Sequence, residues 1–315
     1  MKKENKKIVV LGAGAVGCFF GGLLARAGED VTLIARENHV AAILKNGLYI
    51  DSLQFKEHVR IKASTSIESL SQADLILLCV KSPDTDGVIK EIRPHLKPEA
   101  VILSMQNGVD NVDRIKSQVT NHVYPAVVYV ATAMAGDGHV KHFGRGELVI
   151  GDMDGTESAA SQVVLQEIVS TFTAAKIPCV VSNQIKKDMW LKFLVNCCYN
   201  GISAIGQTSY GELIKKPEIQ DLIQSLTKEF LLVASFENVN ISAEEANHVN
   251  QQIALTMSGQ KSSTAQDLMR KRKTEIEFLN GLIVRKATEH GVHAPTHQAI
   301  FALVKMLELD LLNAC

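Results

Sequence analysis

Residues 7–17 narrow the folds open to this 315-residue chain more than any other stretch. Ile8-Val9-Val10-Leu11 is a continuous apolar run, as expected of a strand covered on both faces, and it leads straight into Gly12-Ala13-Gly14-Ala15-Val16-Gly17. Apolar spacing over 16–27 then predicts a helix. A glycine turn between a buried strand and a helix suits the phosphates of a dinucleotide. The first glycine permits the tight turn, the second lets backbone approach a pyrophosphate, and the third brings helix against strand. The start of the helix adds unpaired N–H groups and the positive end of its dipole. Glycines at this spacing can also serve helix–sheet packing alone, and it is the strand–turn–helix context that favours the phosphate reading.

The alternation continues. Strands are expected at 31–35, 74–80 and 100–105, helices at 39–45, 84–92 and 110–117, an irregular hairpin over 48–61, and further strands at 123–132 and 147–150. Strands separated by helical segments predict a parallel, doubly wound sheet. Beyond 178–182 the pattern is helical almost to the end, with helices expected at 185–199, 217–236, 243–257, 264–290 and 297–312. Pro217 and Pro295 sit at starts, where proline is tolerated. The change of character falls near 175–184, and two domains, 1–180 and 181–315, match the length of the chain.

Composition excludes several classes. Lys plus Arg number 33 and Asp plus Glu 34, so no basic excess exists to neutralise nucleic-acid phosphates or to seek anionic lipid. No apolar run reaches the ~20 residues of a membrane span, and the basic start of the chain runs into a strand rather than a secretory leader; the expectation is a cytoplasmic protein. Six cysteines show neither Cys-x-x-Cys pairing nor metal-ligand spacing, which predicts buried reduced thiols and no metal. His139 and His142, three apart in a strand-like hairpin, read as surface residues.

Several residues stand where chemistry is expected. Arg36 closes the second strand, 24 residues after Gly12, a position at which an acidic residue holds ribose hydroxyls in NAD-preferring sites. An arginine there suits a 2′-phosphate, although Glu37 next to it could face a hydroxyl. Lys81 and Gln106-Asn107-Gly108 follow buried strands directly, where ligands gather in such sheets, but both positions also suit caps or turns. In the helical half, Lys192, Asn196 and Asn200 form one polar stripe, i, i+4, i+8, on an apolar helix. An amine flanked by Trp190, Phe193, Leu191 and Val195 is badly placed unless it reaches a cleft, where it could serve as a proton donor; the alternative is a snorkelling lysine. Ser262-Ser263 opens the long helix expected over 264–290, with Ser263 and Gln266 spaced as a capping box. Glu275 and Glu277 lie further along it and face different directions.

Taken together these residues resemble the 2-dehydropantoate 2-reductase (ketopantoate reductase) family. The likeness runs from Ile8 to about Met306 and rests on the glycine turn, Lys81, Asn107-Gly108, the run Trp190 to Asn200, Ser262-Ser263, Thr274-Glu275-Ile276 and Asn280-Gly281. It implies a Rossmann-type domain followed by an all-α domain, with the active site between them. It also implies NADP(H) as cofactor and reduction of the C2 ketone of 2-dehydropantoate in pantothenate synthesis. The residue matching Lys192 is the family's general acid, and the match to Glu275 lies at the site. The matches to Asn196, Asn200 and Ser263 hold substrate, and those to Lys81 and Asn107 contact cofactor. Two positions depart from the pattern: Gly201 stands where a proline is frequent, and Tyr210 where a substrate-side asparagine is. A reductase of another branched 2-oxo acid is the competing enzyme reading, and a non-catalytic NADP(H) sensor the competing class. A small-molecule 2-oxo acid is the expected partner, with a homodimer as one option for assembly.

Overall fold

The computed structural model describes residues 6–154 and 159–312, with side chains as far as residue 309. The chain divides into two compact units, Met1–Ile185 and Lys186–Cys315.

Among the described residues of the first unit, ten strands join in one sheet: β1 (Lys7–Leu11), β2 (Asp30–Ile34), β3 (Leu48–Asp51), β4 (Lys56–Val59), β5 (Lys62–Ser64), β6 (Leu75–Leu78), β7 (Val101–Ser104), β8 (Val123–Gly136), β9 (His139–Ile150) and β10 (Cys179–Val181). The helices are α1 (Ala15–Arg26), α2 (Glu37–Asn46), α3 (Thr85–Ile92), α4 (Asn111–Lys116) and α5 (Ala159–Ala174). The order β5-β2-β1-β6-β7-β8 is parallel throughout, giving the doubly wound sheet that the alternation predicts. Its strands are apolar on both faces for a visible reason. Ile8, Val10, Leu75 and Leu77 enter a core with residues of α1 and α5, while Val9, Leu11, Ile76 and Leu78 enter another with residues of α3 and α4.

Beyond β8 the sheet becomes mixed, which the alternation does not predict. The strand pieces expected at 123–132 and 147–150 are the arms of one long antiparallel hairpin, β8–β9. β8 has two partners in succession: Ser104 of β7 faces Pro125, and the next residue, Ala126, faces Ile150 of β9. A proline, which has no N–H to give to a ladder, thus sits where β8 changes partner. β3 and β10 run parallel to β9, and β4 pairs antiparallel with β3. Helix α5 is a further element that the alternation does not predict; it buries Leu165, Ile168 and Phe172.

His142 is not a surface residue. It is 7% exposed and stacks on Phe19 at 4.3 Å; its Nδ1 lies 3.1 Å from Ser52 Oγ and its Nε2 2.6 Å from the Arg145 carbonyl. Successive strand residues face opposite sides, so His139 and His142 cannot share a ligand across an odd spacing.

The second unit is helical: α6 (Ile185–Gly206, beginning at the last residue of the first unit), α7 (Tyr210–Leu213), α8 (Pro217–Phe236), α9 (Ala243–Thr256), α10 (Ser263–Met269), α11 (Asn280–Glu289) and α12 (Pro295–Leu312). Trp190, Phe193 and Phe230 meet with ring centroids 5.4–5.7 Å apart, joining α6 to α8. The helix expected over 264–290 is broken into α10, a 3-10 turn at Ile276–Phe278, and α11. Four consecutive cations, Arg270 to Lys273, follow α10, and Lys271 takes a left-handed φ of 54°. The Thr274 amide and hydroxyl then both donate to Glu308 Oε1 on α12, at 2.8 and 2.6 Å. Among the described residues no helix is long and apolar enough to cross a membrane.

Candidate active site

The glycine turn is built as its three positions require. Gly12 takes φ +92°, and a Cβ there would lie 2.7 Å from the Val80 nitrogen; a Cβ on Gly17 would lie 2.6 Å from the Gly12 carbonyl and 2.8 Å from Val10 Cγ1. Both are glycines because the protein's own backbone and sheet are too close for a side chain. Gly14 differs. It is the N-cap of α1, with φ −80° and no side-chain cap, and a Cβ there would meet no described atom within 4 Å. Nothing in the packing calls for glycine at this point, whereas a pyrophosphate approaching the first turn of α1 does. The first intrahelical amide bond is Cys18 N to Gly14 O, so the amides of Ala15, Val16 and Gly17 are the ones a helix leaves to an outside acceptor. These residues fit a dinucleotide phosphate.

The other candidates of the first unit follow the ends of β2, β6 and β7. The Ala13 amide donates to Ile34 O at 3.1 Å, tying the turn to the end of β2. Arg36 lies just beyond, exposed at the N-cap of α2. Lys81, half-buried, precedes a 3-10 turn at Ser82–Asp84, and its carbonyl accepts from the Asp84 amide. Asn107 is half-buried before Gly108, whose φ is +98°.

A buried polar network, not foreseen from the sequence, fastens these two loops together. Gln106 Nε2 donates to Val80 O at 3.1 Å and to Thr85 Oγ1 at 2.7 Å, while its Oε1 accepts from Ser104 Oγ at 3.0 Å. Asn111 Nδ2 donates to Ser82 Oγ at 3.1 Å and to Asn107 O at 2.7 Å, and Ser82 Oγ donates to Asn107 O at 3.0 Å. Polar residues set among apolar strand ends were the available signal: a buried amide or hydroxyl must find partners, and these find them in the neighbouring loop.

In the second unit, Lys192 and Asn196 are half-buried on consecutive turns of α6, and Asn200 is 2% exposed one turn further on. Asn200 does not end the helix, which continues to Gly206. Its Oδ1 accepts from Tyr210 Oη at 3.0 Å, and its backbone carbonyl accepts from Ser262 Oγ at 3.0 Å. The cap of α10 is Ser262, whose Oγ accepts from the Ala265 amide at 3.0 Å, rather than Ser263 with Gln266 as the spacing suggests. Burial of Ser262 against α6 decides between the adjacent serines, and leaves Ser263 exposed as the first residue of the helix. Gly201 is demanded by packing: a Cβ there would lie 2.3 Å from Ile300 Cγ2.

Glu275 is not in a helix, because the break described above places it just before the Ile276–Phe278 turn. Glu277 is committed elsewhere, to Arg285 at 2.8 Å. Glu308, which holds Thr274, is 7% exposed; burial opposes its ionisation, but Lys305 and the two Thr274 donors outweigh that and hold it below the usual carboxylate range. Asn280 Nδ2 donates to Cys197 O at 2.9 Å and meets His297 Nδ1 at 3.0 Å, while His297 Nε2 lies 3.0 Å from Leu226 O. Burial pulls the His297 imidazole down to about 4, so it is neutral, donating from Nε2 and accepting at Nδ1.

Cys18, Cys79, Cys179, Cys197 and Cys198 are free thiols, all raised above the ordinary range by burial; Cys315 lies outside the described residues. Among the described residues no three His, Cys, Asp or Glu side chains are grouped to hold a metal ion.

Residues 8–155 match the family model described as ketopantoate reductase PanE/ApbA, and residues 184–308 match its C-terminal counterpart. A 2-dehydropantoate 2-reductase of Pyrococcus horikoshii is 32% identical, with 96% of this chain and 97% of that protein covered. The crystal structure of a PanE/ApbA family ketopantoate reductase from Ralstonia eutropha superposes with a TM-score of 0.89 at 42% identity, covering 97% and 99% of the two chains. A ternary structure of D-mandelate dehydrogenase with NADH and anilino(oxo)acetate superposes equally well, at 0.89, with 25% identity and the same coverage. An oxidoreductase with a Rossmann-type domain and a helical domain, this chain belongs to the ketopantoate reductase family.

Proposed function

We propose that the chain reduces 2-dehydropantoate to pantoate with NADPH, in pantothenate and coenzyme A synthesis. The observation that carries this reading is the row of Lys192, Asn196 and Asn200 on successive turns of α6, in a chain that matches the family in both its parts. Lys192 hydrogen-bonds the ketone oxygen, stabilises the negative charge that develops there and supplies the proton. Asn196, Asn200 and Ser263 hold the carboxylate and hydroxyl so that the carbonyl is oriented before reaction. Glu275 lies beside the reacting groups. When bound, NADPH supplies the hydride for C2. Its pyrophosphate is held at Gly12, Ala13, Gly14, Ala15, Val16 and Gly17, its 2′-phosphate by Arg36 through a charge-assisted fork, and further contacts come from Lys81 and Asn107.

A second reading is a reductase of another 2-oxo acid on the same machinery. It is favoured by the likeness to D-mandelate dehydrogenase and by Tyr210, which lies against Asn200. The deciding experiment mixes purified protein with NADPH and either 2-dehydropantoate or other 2-oxo acids, and follows loss of the reduced-nicotinamide absorbance. Higher kcat/KM for another acid transfers the assignment to that acid. Absence of turnover with every acid tried, despite NADPH binding, sinks both readings in favour of a sensor.

A further inference from the structure

We propose that Tyr210 is a positioning residue that fixes the Asn200 amide with its NH2 toward the substrate, so that this position recognises an acceptor, the carboxylate of a 2-oxo acid. The inference rests on the placement of Asn200 in the substrate site and adds to it the polarity of the contact.

An asparagine side chain is ambivalent, since its oxygen accepts and its nitrogen donates. Here the ambiguity is removed. Tyr210 Oη donates to Asn200 Oδ1 at 3.0 Å, and both residues are buried, at 7% and 2% exposure. Burial also raises the Tyr210 phenol above its ordinary range, so it remains a protonated donor. Among the described residues no group accepts from Asn200 Nδ2. The two N–H bonds are what the side chain has left to offer, and bonds from N–H to a carboxylate are stronger than those to a neutral acceptor.

Tyr210 is itself firmly held. Its ring stands edge-on to Tyr199 with centroids 5.6 Å apart, and Tyr199 Oη donates to the Asn250 carbonyl at 2.7 Å. The Tyr210 amide donates to Gln260 O at 3.0 Å and the Gly211 amide to Ser258 O at 2.9 Å. Ser262 then returns the chain to α6 through Asn200 O, and its amide donates to Ser203 Oγ at 3.1 Å. Three segments, α6, α9 and residues 258–262, therefore hold the phenol in place, and Ser263 follows directly on the last of them.

The test compares Tyr210→Phe, Asn200→Ala and Asn200→Asp. Steady-state kinetics are measured on 2-dehydropantoate and on the same 2-oxo acid lacking its 4-hydroxyl, with the melting temperature of each preparation. Tyr210→Phe should raise KM for both acids by about 3- to 10-fold, the worth of one hydrogen bond, with kcat within about twofold of wild type. Asn200→Asp should raise KM beyond Asn200→Ala, because it turns an acceptor toward the carboxylate. Unchanged KM in Tyr210→Phe beside a raised KM in Asn200→Ala overturns the positioning role, whatever the melting temperature does. So does Asn200→Asp binding both acids as well as wild type. An effect confined to 2-dehydropantoate overturns it too, since the group read would then be the 4-hydroxyl. Unchanged KM in Asn200→Ala removes Asn200 from the site, a failure of the functional reading and not of Tyr210 alone.

Discussion

Replacing one glycine of the turn separates the residues that serve the fold from the one that serves the ligand. In Gly14→Ala the new methyl group meets no described atom within 4 Å, and φ −80° is ordinary for alanine. The cost to folding is then the N-cap preference of glycine over alanine, under about 1 kcal/mol. In Gly17→Ala the methyl group sits 2.6 Å from Gly12 O, 2.8 Å from Val10 Cγ1 and 3.3 Å from Cys79 Cβ. Backbone and strand must move, an overpacking cost of roughly 1–3 kcal/mol, with Tm falling roughly 2–4 °C per kcal/mol in a unit of this size. For binding the order reverses. A methyl group at Gly14 stands where backbone must approach the pyrophosphate, and loss of one charge-assisted bond weakens NADPH by roughly 1.5–3 kcal/mol, a 10- to 150-fold rise in Kd. Titration of each variant with NADPH, followed by cofactor fluorescence and paired with a thermal melt, measures both quantities. Gly14→Ala binding NADPH with the wild-type Kd, or melting as low as Gly17→Ala, would refute the reasoning.

Three further outcomes are expected. Arg36→Ala should weaken NADPH by roughly 1.5–3 kcal/mol and leave NADH unchanged; equal loss for both shows that Arg36 does not meet the 2′-phosphate. Lys192→Ala should lower kcat by about 10²–10⁴-fold with NADPH affinity near normal, and an alanine variant that keeps most of its turnover is not missing the acid. His297 makes stability depend on pH. Its folded pKa, about 4, lies below the 6.5 of an exposed imidazole, so the unfolded chain binds the extra proton. The contribution is complete above pH ~6.5, falls by about 2 kcal/mol at pH 5, and approaches a loss of about 3 kcal/mol below pH 4. His297→Gln should flatten this segment of the Tm–pH curve, and an unchanged slope assigns the acid sensitivity to other groups.

What the sequence made legible was local. β1, the glycine turn and α1 follow from one contiguous stretch, and the α6 stripe from a single helical period. Where two signals competed, spacing alone failed. Helix α5 is studded with Val163, Val164, Ile168, Val169 and Thr171, whose β-branched side chains argue for a strand, although Leu165, Ile168 and Phe172 share its buried face. The helix expected over 264–290 has acceptable periodicity, and its break is set by Glu308 more than thirty residues away. The choice between Ser262 and Ser263 as cap depends on the Asn200 carbonyl 62 residues earlier. In the last two cases the contact is tertiary, and no short window of sequence contains both partners.

The place of β9 has a consequence for how the first unit is made. β3 and β4 are synthesised early, yet β3 lies beside β9, with Tyr49 opposite His139, and β10 completes the same edge at Cys179. At roughly 5–20 residues per second of translation, about ninety residues separate the emergence of β3 from that of its neighbour, a wait on the order of ten seconds. During that interval the parallel strands β1, β2, β5 and β6 can assemble while the β3–β4 hairpin keeps an open edge able to pair with other chains. A nascent chain halted before residue 139 should therefore be aggregation-prone, and one extended past residue 181 should not.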